Sequence, residues 1–70
     1  MKKTYELSEV AKCGTIYSSN NQKSVFELGQ ILAKEENKTI AMRQIIKENN
    51  RVAETHTVFL KADGTVEHIN

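Results

Sequence analysis

The stretch with the least freedom lies near the C-terminus. Thr55-His56-Thr57-Val58-Phe59-Leu60-Lys61 is dense in β-branched and aromatic side chains, which suit a pleated, half-buried surface. Ala62-Asp63-Gly64 supplies a turn, and Thr65–Ile69 returns as a partner strand. The spacing predicts a type I turn over Ala62-Asp63 with Gly64 left-handed in a G1 bulge. In that register Leu60 faces Val66 and Val58 faces His68, so Val58, Leu60 and Val66 share one side of the sheet. A tighter Asp63-Gly64 turn would pair Lys61 with Val66 instead, and a slip of one residue inverts every side chain.

Upstream, Ser24–Glu36 reads as an amphipathic helix. Ser24 and Glu27 have capping-box spacing. Val25, Phe26, Leu28, Gly29, Leu32 and Ala33 fall on one face, widened by Ile31, while Glu27, Gln30 and Lys34 project to water. Gly29 costs about 1 kcal/mol against Ala inside a helix, so its presence points to a close packing contact. Asn37 fits a left-handed end for this helix or a cap for a second one.

That second helix is expected over Thr39–Arg51, with Ala41, Met42, Ile45, Ile46 and Val52 on one face and polar Asn49 in the same arc. The short connection would make the two helices an antiparallel hairpin. The N-terminal part is open to more than one reading: Tyr5 and Leu7 alternate as in a strand, Leu7–Lys12 also fits a short capped helix, and Gly14–Tyr17 fits another strand. Ser18–Lys23 reads as a polar loop. The expected architecture is α+β: a two-helix hairpin packed on a small antiparallel sheet made by the C-terminal hairpin and at least one N-terminal strand. Its predicted core is Val25, Leu28, Leu32, Met42, Ile45, Ile46, Val58, Leu60 and Val66.

Seventy residues make one domain, residues 1–70, close to the size at which a chain stops folding without help and buries only about 60% of its unfolded surface. There is no proline and there are three glycines, a composition unlike that of a linker or disordered tail. The lone Cys13 cannot close an internal disulfide, and no apolar run is long enough for a signal peptide or a membrane span. A reducing, cytoplasmic setting is the expectation, with Cys13 a small buried hydrophobe.

No glycine-rich phosphate loop, nucleophile elbow or metalloprotease signature occurs, and so short a chain has little room for an enclosed pocket. His56 and His68 are expected on one face of the hairpin, but the short Cys/His spacings of a structural zinc site are missing. The expectation is a binding protein with no enzymatic activity, metal or cofactor.

Two surfaces are candidates for that binding. With ten Lys and Arg against nine Asp and Glu, the chain lacks a global basic field, and contact with DNA or RNA needs a local patch. On the expected second helix Arg43, Lys47 and Arg51 stand four residues apart as a cationic stripe, flanked by Gln44 and Asn50, which can hydrogen-bond base edges in a groove. The element order partly parallels a winged helix, but the first helix is too short and the inter-helix turn lacks glycine. A ribbon-helix-helix arrangement leaves the hairpin unexplained. The alternative is a protein-binding inhibitor or adaptor, using the edge of the hairpin and an apolar sheet face with Phe59 and Ile69, joined by Tyr17. An apolar face needing cover also suggests a homodimer.

Overall fold

The computed structural model describes residues 2–10 and 14–68. Cys13 and Ile69, and with them the readings made for them, lie outside the described residues. The chain is α+β, and its described residues form one helix and five antiparallel strands: β1 (Lys2–Glu9), β2 (Tyr17–Ser19), α1 (Gln22–Glu36), β3 (Ile40–Glu48), β4 (Arg51–Leu60) and β5 (Val66–His68). The sheet order is β2-β1-β3-β4-β5. The described helix is not long and apolar enough to cross a membrane.

The expected second helix is a strand and a turn. Ile40–Glu48 forms β3, the central strand, paired with β1 on one side and β4 on the other. The reason is visible in the residues. Ile40, Ile45 and Ile46 are β-branched and stiff at χ1, which favours the pleated state. Asn49 and Asn50 both hold positive φ, 52° and 63°, and Glu48 faces Arg51 across them. A two-residue loop with both central residues left-handed is a type I′ turn, whose twist matches that of the strands it joins. Asn tolerates this conformation, whereas other L-residues lose roughly 1–2 kcal/mol there. Asn49→Val is therefore expected to lower stability by about that amount, read as a reduced urea midpoint with an unchanged slope. No loss on this substitution would contradict the turn.

Helix α1 starts earlier than the capping box implied. Asn21 is the N-cap: its side chain accepts the Ser24 N–H at 3.2 Å. Asn37 ends the helix in the left-handed region (φ 51°), and the Lys38 N–H reaches back to the Ala33 carbonyl at 3.1 Å, the wrap that satisfies otherwise orphaned terminal carbonyls. Lys38 then joins the helix end to β1 through ion pairs with Glu9 and Glu36. Those carboxylates, Glu9 first, hold its ammonium pKa above the usual lysine value.

The helix covers one face of the sheet. By strand alternation, Tyr5 and Leu7 of β1, Ile40, Met42, Gln44 and Ile46 of β3, His56, Val58 and Leu60 of β4, and Val66 and His68 of β5 share that face. The core consists of Tyr5, Leu7, Val25, Ala33, Ile40, Met42 and Leu60, with Phe26, Leu28, Leu32, Val58 and Val66 packed against it. Gly29 marks a close approach: a Cβ there would lie 2.4 Å from Leu60 Cδ1 and 2.8 Å from Leu7 Cδ2. Two isoleucines stand away from where their spacing put them. Ile45, expected in the core, is half-buried on the opposite, helix-free face. Ile31, expected to widen the apolar face of the helix, is 53% exposed on its outer side. Leu7 and Ile40, both fully buried, were absent from the predicted core because each is fixed by pairing between distant segments.

The C-terminal hairpin forms in the predicted register, with Leu60 facing Val66 and Val58 facing His68. The Gly64 N–H donates to the Lys61 carbonyl at 3.0 Å, the Lys61 N–H to the Thr65 carbonyl at 2.9 Å, and Gly64 has φ 91°. Asp63 fastens the turn by accepting the Thr65 hydroxyl at 2.6 Å and the Thr65 N–H at 3.0 Å. These bonds, the hydroxyl's foremost, hold its carboxyl below the usual aspartate pKa. A carboxyl whose pKa falls on folding stabilises above its unfolded pKa, and the contribution disappears as pH drops through the lower, folded value. Asp63→Ala is thus expected to lose stability at neutral pH and to show a flatter acid limb in urea midpoint against pH. Parallel curves for the two proteins would contradict this role.

Candidate nucleic-acid interface

The three cations expected on one helical stripe and the two amides expected to flank it do not form one surface. Arg43 and Lys47 lie on the helix-free face of β3, Gln44 points to the helix-bearing face, Asn50 sits in the turn, and Arg51 opens β4. Arg43 faces Glu6 across β1 and Thr57 across β4, in the middle of the sheet and away from the turn that holds Asn50 and Arg51. Gln44 is committed to the interior edge, where its Nε2 donates to the Tyr5 hydroxyl at 3.1 Å. The stripe therefore dissolves, because strand alternation replaces the four-residue period that created it.

The register builds a different cluster in its place. Pairing of β1 with β3 sets Lys2 opposite Lys47 and Lys3 opposite Ile46. Among the described residues the β3–β4 hairpin extends past that pairing, through Glu48, Asn49, Asn50 and Arg51. Lys2 and Lys47 on the helix-free face, and Lys3 and Arg51 on the other, thus stand at one end of a molecule whose extents are 38 × 21 × 20 Å. All four are exposed and none forms an ion pair among the described residues. Glu48 and Glu54 are the acids nearby in the strands. Toward the other end of the strands charge is spent internally, in the pairs Lys38–Glu9, Lys38–Glu36 and Lys61–Glu67.

A bulge shapes this end. The β3–β4 register steps between Ile46 and Lys47, so that Ile46 faces Glu54 while Lys47 faces Val52, leaving Ala53 without an opposite residue. Such an insertion sharpens twist and re-aims the strand end. Val52 is consequently set on the helix-free side next to Lys47 and is 58% exposed.

The residues expected to make protein contacts are dispersed. Phe59 lies on the helix-free face as expected, but half-buried, in one row with Ser8 and Ala41. Tyr17 is exposed on edge strand β2 beside Ile16. A separate concavity of about 400 Å3 opens on the helix-bearing face, with Tyr5, Met42 and Val58 next to His56 and His68. The two imidazoles occupy neighbouring strands. Among the described residues no group of three His, Cys, Asp or Glu stands close enough to hold a metal ion.

No protein-family model matches the chain, and neither the curated proteins nor the solved structures provide a match.

Proposed function

We propose that the protein is a small non-enzymatic binding module that contacts duplex DNA with the basic end of its sheet. The observation that carries this reading is the gathering of Lys2, Lys3, Lys47 and Arg51, without ion-pair partners among the described residues, around a projecting hairpin turn. Phosphate contacts by Lys and Arg supply most of the affinity in sequence-independent binding. Asn49 and Asn50 at the tip add carboxamides able to donate to and accept from base edges. B-form DNA is favoured over duplex RNA because its major groove, about 12 Å wide, admits a two-stranded ribbon, whereas that of A-form RNA is deep and narrow.

Fluorescence anisotropy with a short labelled duplex, titrated across a salt series, tests the reading. Three or four phosphate contacts give a slope of log K against log salt of about −3 to −4, since each contributes roughly −0.9. A two-fold dimer doubles that slope. Absence of binding even at low salt, or binding indifferent to salt, overturns the proposal. The protein-binding alternative retains one supporting observation, the exposed Tyr17 and Ile16 on the β1–β2 edge. Tyr17→Ser lies outside the basic end and is expected to leave duplex affinity unchanged.

A further inference from the structure

We infer that the sheet end carries a discrete oxyanion site for a phosphate group, formed by Lys2, Thr4, Lys47, Asn49 and Asn50. These five residues line a concavity of about 320 Å3. Lys2 and Lys47 stand directly opposite each other in the antiparallel β1–β3 ladder. Like charges in that relation repel and destabilise a sheet, and here no carboxylate lines the space between them. Neither ammonium has an ion-pair partner among the described residues. An anion seated between the two would turn the repulsion into two charge-assisted hydrogen bonds.

The rest of the lining suits the same ligand. Thr4 contributes a hydroxyl donor, and Asn49 and Asn50 contribute carboxamide N–H donors. Every lining side chain can donate and none is acidic, which matches a tetrahedral oxyanion better than a cation or an apolar group. The left-handed backbone at Asn49 and Asn50 fixes where the turn begins relative to Lys47, so their donors sit on a short two-residue loop next to it. Lys2 and Lys47 lie far apart along the chain, and the β1–β3 register is what brings them together.

A phosphate here has two possible sources, a free phosphate ion or the backbone of a nucleic acid. The second source rests on the function proposed above. The test uses the whole chain labelled with 15N and titrated with inorganic phosphate at constant ionic strength, chloride serving as the control. Saturable shifts of the amides of Thr4, Lys47, Asn49 and Asn50 are expected, absent with chloride. Lys47→Gln should weaken phosphate binding roughly tenfold, the usual scale for one lost charge-assisted hydrogen bond. Lys2→Gln should act alike, and an unchanged amide spectrum elsewhere certifies the fold of each variant. A flat phosphate titration of the wild-type chain overturns the site, as does wild-type affinity in both variants.

The duplex arm separates the sources. If duplex DNA shifts the same amides and Lys47→Gln reduces the salt slope by about 1, the site accepts a backbone phosphate. If phosphate saturates the site but duplex DNA does not bind, the oxyanion site stands and the DNA reading falls. If phosphate titrates flat while duplex DNA binds and each variant weakens that binding, the discrete site falls and the DNA reading stands.

Discussion

Leu7→Ala is expected to remove about 2–5 kcal/mol of stability, the usual range for truncating a fully buried leucine. Leu7 has no exposed surface, and with Leu60 it packs beneath Gly29, where the helix lies close on the sheet. At roughly 0.05–0.15 kcal/mol per residue, a chain of seventy residues has total stability comparable to that loss. The variant should therefore lose a large part of its stability, with its urea midpoint shifted down by about 1 M or more. Ile45→Ala, on the helix-free face and half-buried, should cost clearly less. Equal losses at the two positions would mean that the core does not lie between the helix and the sheet. Gly29→Val probes the same contact from above: its added methyls have nowhere to go without displacing Leu7 or Leu60, so overpacking should outweigh any gain in helix propensity.

The second large effect concerns binding. Exchanging Lys2 and Lys47 together for glutamate keeps two like charges opposed across β1 and β3, so the cross-strand repulsion persists between charges of the opposite sign and folding should change little. Duplex affinity should fall about a hundredfold or more at low salt, because two phosphate contacts become two repulsions. The salt slope should also flatten. Thermal unfolding measured in parallel distinguishes lost binding from lost structure. Retention of wild-type duplex affinity by a folded double variant would mean that the basic sheet end does not touch DNA.

How much of this was legible in the residues depends on how local each signal is. Helix α1 was legible from its periodicity, and the C-terminal hairpin register was legible because a three-residue loop with glycine at its end admits few geometries. Gly29 was legible as a packing contact for the same kind of reason: an unfavourable residue in a helix interior signals a constraint from outside it. The segment Thr39–Arg51 misled because Ala41, Met42, Ile45 and Ile46 satisfy a helical period as well as a strand's two faces. Ile45 fits the strand only by occupying the helix-free side. Two local signals favoured the strand: the run of β-branched isoleucines and the adjacent pair Asn49-Asn50, which a hairpin turn uses and a helix interior disfavours.

The candidate site was legible only in part. Lys47, Asn50 and Arg51 were singled out, but through a helical spacing that the chain does not adopt. Lys2 and Thr4 carried no signal, since their role depends on β1 pairing with β3 across most of the chain. Such pairing is chosen by the whole sheet, and no window of neighbouring residues encodes it. Arg43 and Gln44 were drawn into the stripe by the same helical period, and the strand sends one beside Glu6 and the other to Tyr5.

Locating where a duplex touches the chain tests the basic sheet end most directly. With a short B-form duplex added to the 15N-labelled protein, amide shifts should concentrate at residues 2–4 and 47–52 and fade as salt is raised. Shifts centred on the outer surface of the helix, or no shifts at low salt, would contradict it.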